Sequence, residues 1–479
     1  MAAKNINLAP HTAVAGTRLL AVATGVVSLT ASLVFTLSVT RRLPTGELAV
    51  LTLFNSAFAV ALAFVGYAST WYPRILAKEP EKFGQLAAVG LIMAFIASVP
   101  LAAYLALYGR VDPWLLAIGV ALLILNAWPA GAYLTVHRQR LGVYANLAGQ
   151  AVKIAGAFAV RLNPTAYLAL LINVFMSLPT ALMKIERPRF SGVLAVAKSL
   201  IKGAPYQTLS LIAAALGGLT TYAVYLAGGD RLLSYSYVLF QISKAVYPAL
   251  AVVPSMYGSL LVESDKLRRA LIDGSALLYL YLIAAAVMAK APQWYIAVLR
   301  PSELSSAELA EAVWLNGAAL LASGIYLHIN TTLAGIEGGV VFRLKDKPSK
   351  ALIFDIALSP LSIALTYFLS ATYGAPGMVV ASVISSAVAI GYRARLLGRG
   401  YARLFTELYI PAAGTLAVIY LTPLPLFPYS TASLIDAVAT FIPNAAVLAA
   451  FTAGLLLAFS KPAREATGIL FKRIMQIRA

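Results

Sequence analysis

Residues 141–160 read LGVYANLAGQAVKIAGAFAV, an apolar run of membrane-spanning length with a single lysine, Lys153, well inside it. A second apolar run, 232–260, carries Lys244 about twelve residues from its start. At ~1.5 Å per residue, each lysine falls near the midplane of a ~30 Å hydrocarbon layer. A charge there costs at least ~2.5–3.5 kcal/mol, so it usually faces a wet cavity and marks a substrate path. The two runs therefore predict a polytopic membrane protein with a cationic interior that handles something anionic.

The composition supports an integral membrane protein with no large soluble domain. Of the 479 residues, 61% are hydrophobic and only 11% are charged, whereas a soluble chain carries about 25% charged residues. Residues 1–12 are too polar for a secretory signal, and the first apolar run is long enough to span, so we expect a retained helix. The chain has no cysteine and three scattered histidines, so we expect no disulfide, thiolate metal site or histidine metal site. The net charge of +19 is interpreted as basic cytoplasmic loops rather than as a nucleic-acid surface.

Apolar runs between residues 13 and 459 predict an all-α protein with about fourteen transmembrane helices joined by short connections. If the N-terminus is cytoplasmic, 27 of the 37 lysines and arginines fall in cytoplasmic segments and 7 on the opposite side. This bias alternates with every loop, so it predicts that both termini are cytoplasmic. The expected location is the cell membrane.

The longest cytoplasmic connection, 184–204, divides the spans into two groups of six. The sequence TLFNSAFAV at 52–60 resembles VLFQISKAV at 238–246, which lies six helices later. Halves offset by six helices have the same orientation, so the repeat is parallel. The predicted domains are an N-lobe at 1–183, a linker at 184–204, a C-lobe at 205–400, and the last two helices with a basic tail at 401–479.

Two stretches carry a resemblance to a known family. One is TRRLPTGE at 40–47, after the first helix, and the other runs from IAVLR at 296–300 to VWL at 313–315, before the tenth. With the fourteen-helix plan, they resemble the flippase branch of the multidrug/oligosaccharidyl-lipid/polysaccharide (MOP) exporter superfamily. The resemblance implies a flippase, not an enzyme, that moves a polyprenyl-diphosphate-linked glycan across the bilayer by alternating access. It also implies a cationic central cavity for the diphosphate and, as partners, the lipid bilayer and enzymes of glycan synthesis.

Lys153 lies on a polar stripe. Asn146, Gln150 and Lys153 are spaced four and three residues apart, so they share one helix face. A cation flanked by hydrogen-bonding residues is typical of cavity lining, and we predict that Gln150 and Lys153 bind substrate. The alternative is a structural lysine that is capped by carbonyl groups or paired with a buried acid.

Four further residues complete the predicted substrate site. Lys244 shares a helix face with Gln241, and both are predicted to line the cavity. Arg18 lies about five residues into the first helix, where it either grips phosphate or extends to the cytoplasmic surface. Asn55 is interpreted as an interhelical hydrogen-bonding residue or as part of the cavity lining.

Asp355 and Asp273 are the candidates for coupling transport to Na⁺ or H⁺. Both lie near the cytoplasmic ends of predicted helices, as does Glu407, and Asp355 is followed by Ser359 and Pro360, which could loosen the backbone. The alternative is that these acids are solvated or paired with neighbouring basic residues. No cofactor and no metal site is expected.

Three other functions remain open. A Na⁺- or H⁺-coupled multidrug exporter of the same superfamily would need a buried acid, and the predicted interior is cationic instead. A membrane-embedded glycan polymerase or glycosyltransferase would need catalytic residues on large outer loops, but the outer loops here are mostly short. A non-transporting scaffold would have little use for lysines at the midplane.

Overall fold

The structure is a computed structural model that describes residues 11–110, 112–200, 204–249, 265–336 and 346–478. Within these residues every regular element is helical. Ten helices are long and apolar enough to cross a membrane. Two of the ten are interrupted by a glycine with positive φ, Gly229 at 60° and Gly374 at 64°, and each holds two spans. With the more polar Gln139–Leu162 and the shorter Ala166–Leu182, the described spans number fourteen, which confirms the predicted fold class.

We number the spans in chain order. Their bounds are α1 His11–Arg42, α2 Thr45–Ser69, α3 Phe83–Leu107, α4 Pro113–Ala127 continued by Ala130–His137, α5 Gln139–Leu162, α6 Ala166–Leu182, α7 204–228, α8 230–249, α9 Lys266–Lys290, α10 Ala307–Ile336, α11 347–373, α12 375–397, α13 Ala402–Leu404 continued by Phe405–Tyr409 and Ile410–Leu421, and α14 Leu434–Phe459. The side of the molecule that holds the α1–α2, α3–α4 and α9–α10 connections is called the outer side below, and the opposite side the cytoplasmic side; both labels follow the orientation that the charge bias predicts.

Helices α1–α6 pack on one another, with α1 against α5, α2 against α3, and α5 against α6. Small residues allow the closest approaches. A Cβ added at Gly149 of α5 would lie 2.6 Å from the carbonyl oxygen of Met176 on α6. Only a glycine fits there, so the α5–α6 pair is fixed as a unit.

Helices α7–α12 form a second group, in which α7–α8 pack on α11–α12 and also contact α2, and α13 and α14 pack on the outside of α9. Contacts at equal distances from Gly374 show that α11 and α12 run antiparallel, since the Ser362 and Ser385 hydroxyls lie 2.9 Å apart and Phe354 stacks on Tyr392 at 4.0 Å between centroids. The basic helix Lys461–Arg478 follows α14 and is tied to α9 by an ion pair between Glu465 and Arg268. The two groups share one buried core, to which α2, α7, α8 and α10 all contribute.

The connection after α6 is fastened to the cytoplasmic end of α3. The Arg189 amide donates to the Gly84 carbonyl at 2.8 Å, and Gln85 Nε2 donates to the Ser191 carbonyl at 3.1 Å. The short helix Val193–Leu200 follows, with Val196 buried. The described part of the predicted linker, 184–200, therefore contacts α3 through Arg189, Ser191 and the short helix. The exact domain limits, 1–183 and 205–400, stay predictions.

Candidate functional site

A cavity of about 830 Å³ lies in the cytoplasmic half of the first helix group. Residues of α1, α2, α4, α5 and α6 line it, among them Ser69, Trp128 and Thr180. The polar side chains that line it are neutral hydrogen-bonding groups of serine, threonine, asparagine and glutamine, and no charged side chain lines it among the described residues. Such a lining suits a ligand part that is rich in hydroxyl or amide groups.

The predicted stripe on α5 forms one wall of this cavity. Asn146 and Gln150 both line it, and Gln150 Nε2 donates to Asn146 Oδ1 at 2.9 Å. The other amide atom, Gln150 Oε1, is buried without a hydrogen-bond partner among the described residues. Because a buried acceptor without a partner costs ~1–3 kcal/mol, this oxygen is available to a ligand donor.

Lys153 lies one turn beyond Gln150, towards the outer side, and is half-buried between α5 and α1. Its Nζ donates to Ser32 Oγ at 2.9 Å and lies 5.7 Å from the ring centroid of Phe35. Among the described residues no carboxylate lies within ion-pairing distance of Lys153. The ammonium is thus held by a hydroxyl group and an aromatic face, neither of which neutralises its charge.

Among the predicted substrate residues whose side chains are described, only Gln150 lines the cavity; Lys153, one turn further along α5, does not. Asn55 is half-buried on α2 and is not among the residues that line the cavity. Arg18 lies on α1, and Gln241 and Lys244 lie on α8. The side chains of these three residues fall outside the described part of the structure, so their predicted roles stay predictions.

Asp355 on α11 belongs to a compact network in the second helix group. Both of its carboxylate oxygens accept hydrogen bonds from the Arg393 guanidinium on α12, and Oδ2 also accepts from the Tyr326 hydroxyl at 2.8 Å. Arg393 Nε donates to Asn330 Oδ1 at 2.7 Å. Arg393 is 1% exposed, so this is a buried, hydrogen-bonded ion pair.

Sequence reasoning missed this network. Arg393 was counted among the cytoplasmic basic residues, but the structure buries it inside α12. The sequence offers Asp355 as a candidate for ion coupling, or alternatively as a partner of a neighbouring base, yet its observed partner comes from the next helix, 38 residues later.

The remaining predicted acids are also paired. Asp273 Oδ2 lies 2.8 Å from Arg269 Nε, one turn earlier on α9, and Glu407 lies 2.6 Å from Arg403 Nε. In each case the alternative interpretation, pairing with a nearby base, describes the observed contact. A coupling Na⁺ would therefore have to compete with a guanidinium at Asp273 and at Asp355.

On the outer side, three arginines connect the two helix groups. Arg110 pairs with Asp230 at 2.8 Å, Arg41 donates to the carbonyls of Ala297 and Val298, and Arg300 donates to the carbonyls of Thr40 and Leu43. Burial lowers the pKa of the Arg300 guanidinium, an effect that the nearby carboxylate of Glu303 opposes. These contacts close the molecule on the side opposite the cavity.

No protein-family model matches the sequence, and no curated protein matches it. Solved structures do match in fold. The lipid II flippase MurJ in an inward closed conformation aligns with 92% of this chain and 98% of its own, at a TM-score of 0.61 and 12% identity. An inward-facing multidrug resistance MATE family transporter of the MOP superfamily aligns with 78% of this chain and 98% of its own, at a TM-score of 0.55 and 14% identity. The expected resemblance is thereby confirmed, and the chain has the fold of the MOP superfamily transporters.

Proposed function

We propose that this protein is a transporter that carries an anionic, lipid-linked glycan from the cytoplasmic to the outer leaflet by alternating access. The substrate class is a polyprenyl-diphosphate-linked oligosaccharide. The fold supports a transporter, and the solved structure that aligns over 92% of the chain is described as a lipid II flippase.

Lys153 is the observation that carries the proposal. A half-buried ammonium without a carboxylate partner is costly to keep in a membrane. A diphosphate group would supply the missing negative charge, and its attraction to Lys153 is strengthened by the low dielectric constant of the surroundings. Lys244 and Arg18 are proposed to extend the same cationic path.

The cavity supports the glycan part of the proposal. Its volume of about 830 Å³ is within the ~300–1,000 Å³ of known ligand sites. Its neutral hydrogen-bonding lining can replace water around sugar hydroxyl groups at no cost in buried charge. With Lys153 one turn further in, the glycan would enter first from the cytoplasmic side and the diphosphate would reach the lysine.

The transport cycle follows from the proposed two-lobe organisation. The lobes at 1–183 and 205–400 are proposed to rock about the closed outer side, with both termini cytoplasmic. A Na⁺ or H⁺ gradient is the proposed energy source, and the enzymes that assemble the lipid-linked glycan are the proposed partners in the cell membrane.

A multidrug exporter is the second candidate, because the MATE family transporter shares the fold at a TM-score of 0.55. A cationic drug would need an acid that is free to bind it. Among the described residues, Asp355, Asp273 and Glu407 each already bind an arginine. This pairing favours an anionic substrate.

The test is translocation of a fluorescent polyprenyl-diphosphate oligosaccharide in proteoliposomes. Losing one charge-assisted contact of ~1.5–3 kcal/mol predicts that Lys153→Ala slows translocation about tenfold or more, while Lys153→Arg slows it less. Lys290→Ala is the matched control, since Lys290 is a helix-end lysine that donates to the carbonyls of Tyr420 and Thr422. Equal rates in wild type and Lys153→Ala would refute the proposal.

A further inference from the structure

Two arginines on the outer side bind each other's helix ends. Arg41, in the last turn of α1, donates through Nη1 to the carbonyls of Ala297 at 2.6 Å and Val298 at 2.8 Å, at the end of the helix Pro292–Leu299. Arg300, just after that helix, donates to the Thr40 carbonyl at 3.0 Å, to the Leu43 carbonyl and to Thr45 Oγ1 at 3.0 Å. Since carbonyls at a helix C-terminus lack intrahelical donors, each arginine completes the other segment. We call these contacts the arginine clamp.

The clamp joins the two helix groups without an ion pair, although the nearby carboxylate of Glu303 acts electrostatically on Arg300. Arg300 is 4% exposed, and its Nε is buried with no hydrogen-bond partner in the described part of the chain. Neither Arg41 nor Arg300 forms an ion pair with a described carboxylate, whereas Arg110 on the same side has Asp230 at 2.8 Å. The buried Arg300 guanidinium donates to carbonyl and hydroxyl oxygens, and no described carboxylate accepts a hydrogen bond from it to offset the cost of its desolvation.

Other arginines increase the positive charge around the clamp. Arg42 and Arg161 are both exposed and act electrostatically on Arg41. Arg161 contacts the ring of Phe158, at 5.5 Å, rather than a described acid. The outer side holds only 7 of the 37 basic residues in the predicted topology, and four of these seven, Arg41, Arg42, Arg161 and Arg300, belong to this region. A positive cluster on the side that is otherwise poor in basic residues calls for a specific use.

We propose that the arginine clamp is a binding site for a phosphate-class anion, and that this anion opens the outer side by taking the arginine donors away from the helix ends. The inference rests on the proposed function for its physiological ligand, which would be the diphosphate of the lipid-linked substrate. Arginine suits this ligand because its planar donor fork matches phosphate oxygens in two-point hydrogen bonds. The unpartnered Arg300 Nε supplies a donor that closure leaves unused.

Closure and anion binding exclude each other at this site. The Nη1 donors of Arg41 and Arg300 cannot bind the carbonyls of the opposite segment and a phosphate oxygen in the same geometry. An anion that binds the open clamp therefore stabilises the open state by its own binding free energy. The substrate would trigger its own release path, and an empty transporter would stay closed on the outer side.

The test measures access to a buried reporter in the purified full chain, using inorganic pyrophosphate as the probe. The chain has no cysteine, and Ser38 lies one turn before the clamp at 2% exposure, so Ser38→Cys reacts with a maleimide only when the outer side opens. We expect pyrophosphate to speed labelling about tenfold, and sulfate at matched ionic strength to do so much less.

Variants of the clamp distinguish arginines that bind an anion from arginines that only hold the two segments together. In the reporter background, Arg300→Gln and Arg41→Gln should label about tenfold faster than the parent without pyrophosphate, and pyrophosphate should add nothing. Arg110→Gln is the matched control: it also breaks a contact between the helix groups, but it should keep the pyrophosphate response. If Arg300→Gln fails to fold, Arg300→Lys retains the charge and should give intermediate labelling with a reduced response.

Nanodiscs of neutral lipid show whether the anion is the diphosphate of the substrate or the headgroup of a membrane phospholipid. Adding a polyprenyl diphosphate should open the outer side, whereas adding phosphatidylglycerol should not. Opening by phosphatidylglycerol alone would overturn the substrate assignment. A reporter that ignores pyrophosphate in the parent, or clamp variants that label at the parent rate, would overturn the site. The proposed translocation of the lipid-linked glycan would not be affected by that result, because the Lys153→Ala assay tests it independently.

Discussion

Each half of the molecule places a basic side chain inside a span, Arg393 fully buried and Lys153 half-buried, and the two cations have different partners. Arg393 in the second half gives both its Nη atoms to Asp355 and is further bound by Asn330 and Tyr326. Lys153 in the first half has a serine hydroxyl at 2.9 Å and an aromatic ring, and no described carboxylate. The comparison teaches that burial alone does not identify a functional charge. What distinguishes the two is whether the chain supplies the counter-ion.

The first test removes the counter-ion where the chain supplies it. Asp355→Ala should lower the free energy of unfolding by ~3–5 kcal/mol, because it leaves the Arg393 guanidinium buried and uncompensated. Unfolding in a denaturing detergent series measures this. The double variant Asp355→Ala/Arg393→Met removes both charges and should recover most of the loss. A single variant as stable as wild type would show that Arg393 resembles Lys153 after all.

The second test supplies a counter-ion where the chain lacks one. Ser32 lies 2.9 Å from Lys153 Nζ, so Ser32→Asp should give the lysine a carboxylate partner. The substrate diphosphate must then compete with it, and an ion-pair contact of ~1.5–3 kcal/mol predicts about tenfold slower translocation in a protein that is still folded.

The isosteric control for this test is Ser32→Asn, which keeps a polar group without the charge and should transport at a rate close to wild type. Similar slowing in both variants would mean that Ser32 acts through packing, and the contrast between the two halves would lose its functional meaning.

The smallest effect is expected at the neutral wall of the cavity. Gln150→Leu removes the unpartnered Oε1 and the bond to Asn146, and a neutral hydrogen bond of ~0.5–1.5 kcal/mol predicts a two- to tenfold weaker affinity for the substrate. Binding of the fluorescent lipid-linked oligosaccharide to purified protein measures this, with Asn55→Leu as the control outside the cavity. Equal affinity in wild type and Gln150→Leu would show that the glycan does not bind to this wall of the cavity.

The sequence predicted the features that depend on local patterns. Apolar runs located the fourteen spans, and helical spacing placed Asn146 and Gln150 on one face, where both line the cavity. The charge count failed at Arg393, because a base close to the end of a span has the same composition signal whether it is buried or solvated. Its partner Asp355 lies one helix away, and that pairing depends on how α11 and α12 pack.

The arginine clamp could not be predicted for a related reason. Arg41 and Arg300 donate to main-chain carbonyls more than 250 residues away, and a carbonyl is present at every residue. Only packing decides which carbonyl a side chain meets. Side-chain pairs between an acid and a base at least restrict the candidates, whereas a bond to the backbone leaves no trace in residue type.

The single-residue breaks at Gly229 and Gly374 limit how the molecule can move. Each glycine has a φ near +60° that other residues rarely adopt, and it joins two long helices with no loop between them. Two helices joined by a single residue cannot slide along their axes past each other, since that would stretch the backbone at the connecting glycine. The two helices can only change the angle between them, by rotation about the glycine that joins them at the outer side. Helices α7–α8 and α11–α12 would therefore open widest at their cytoplasmic ends and hardly at all at the hinge, whichever way the cycle is driven.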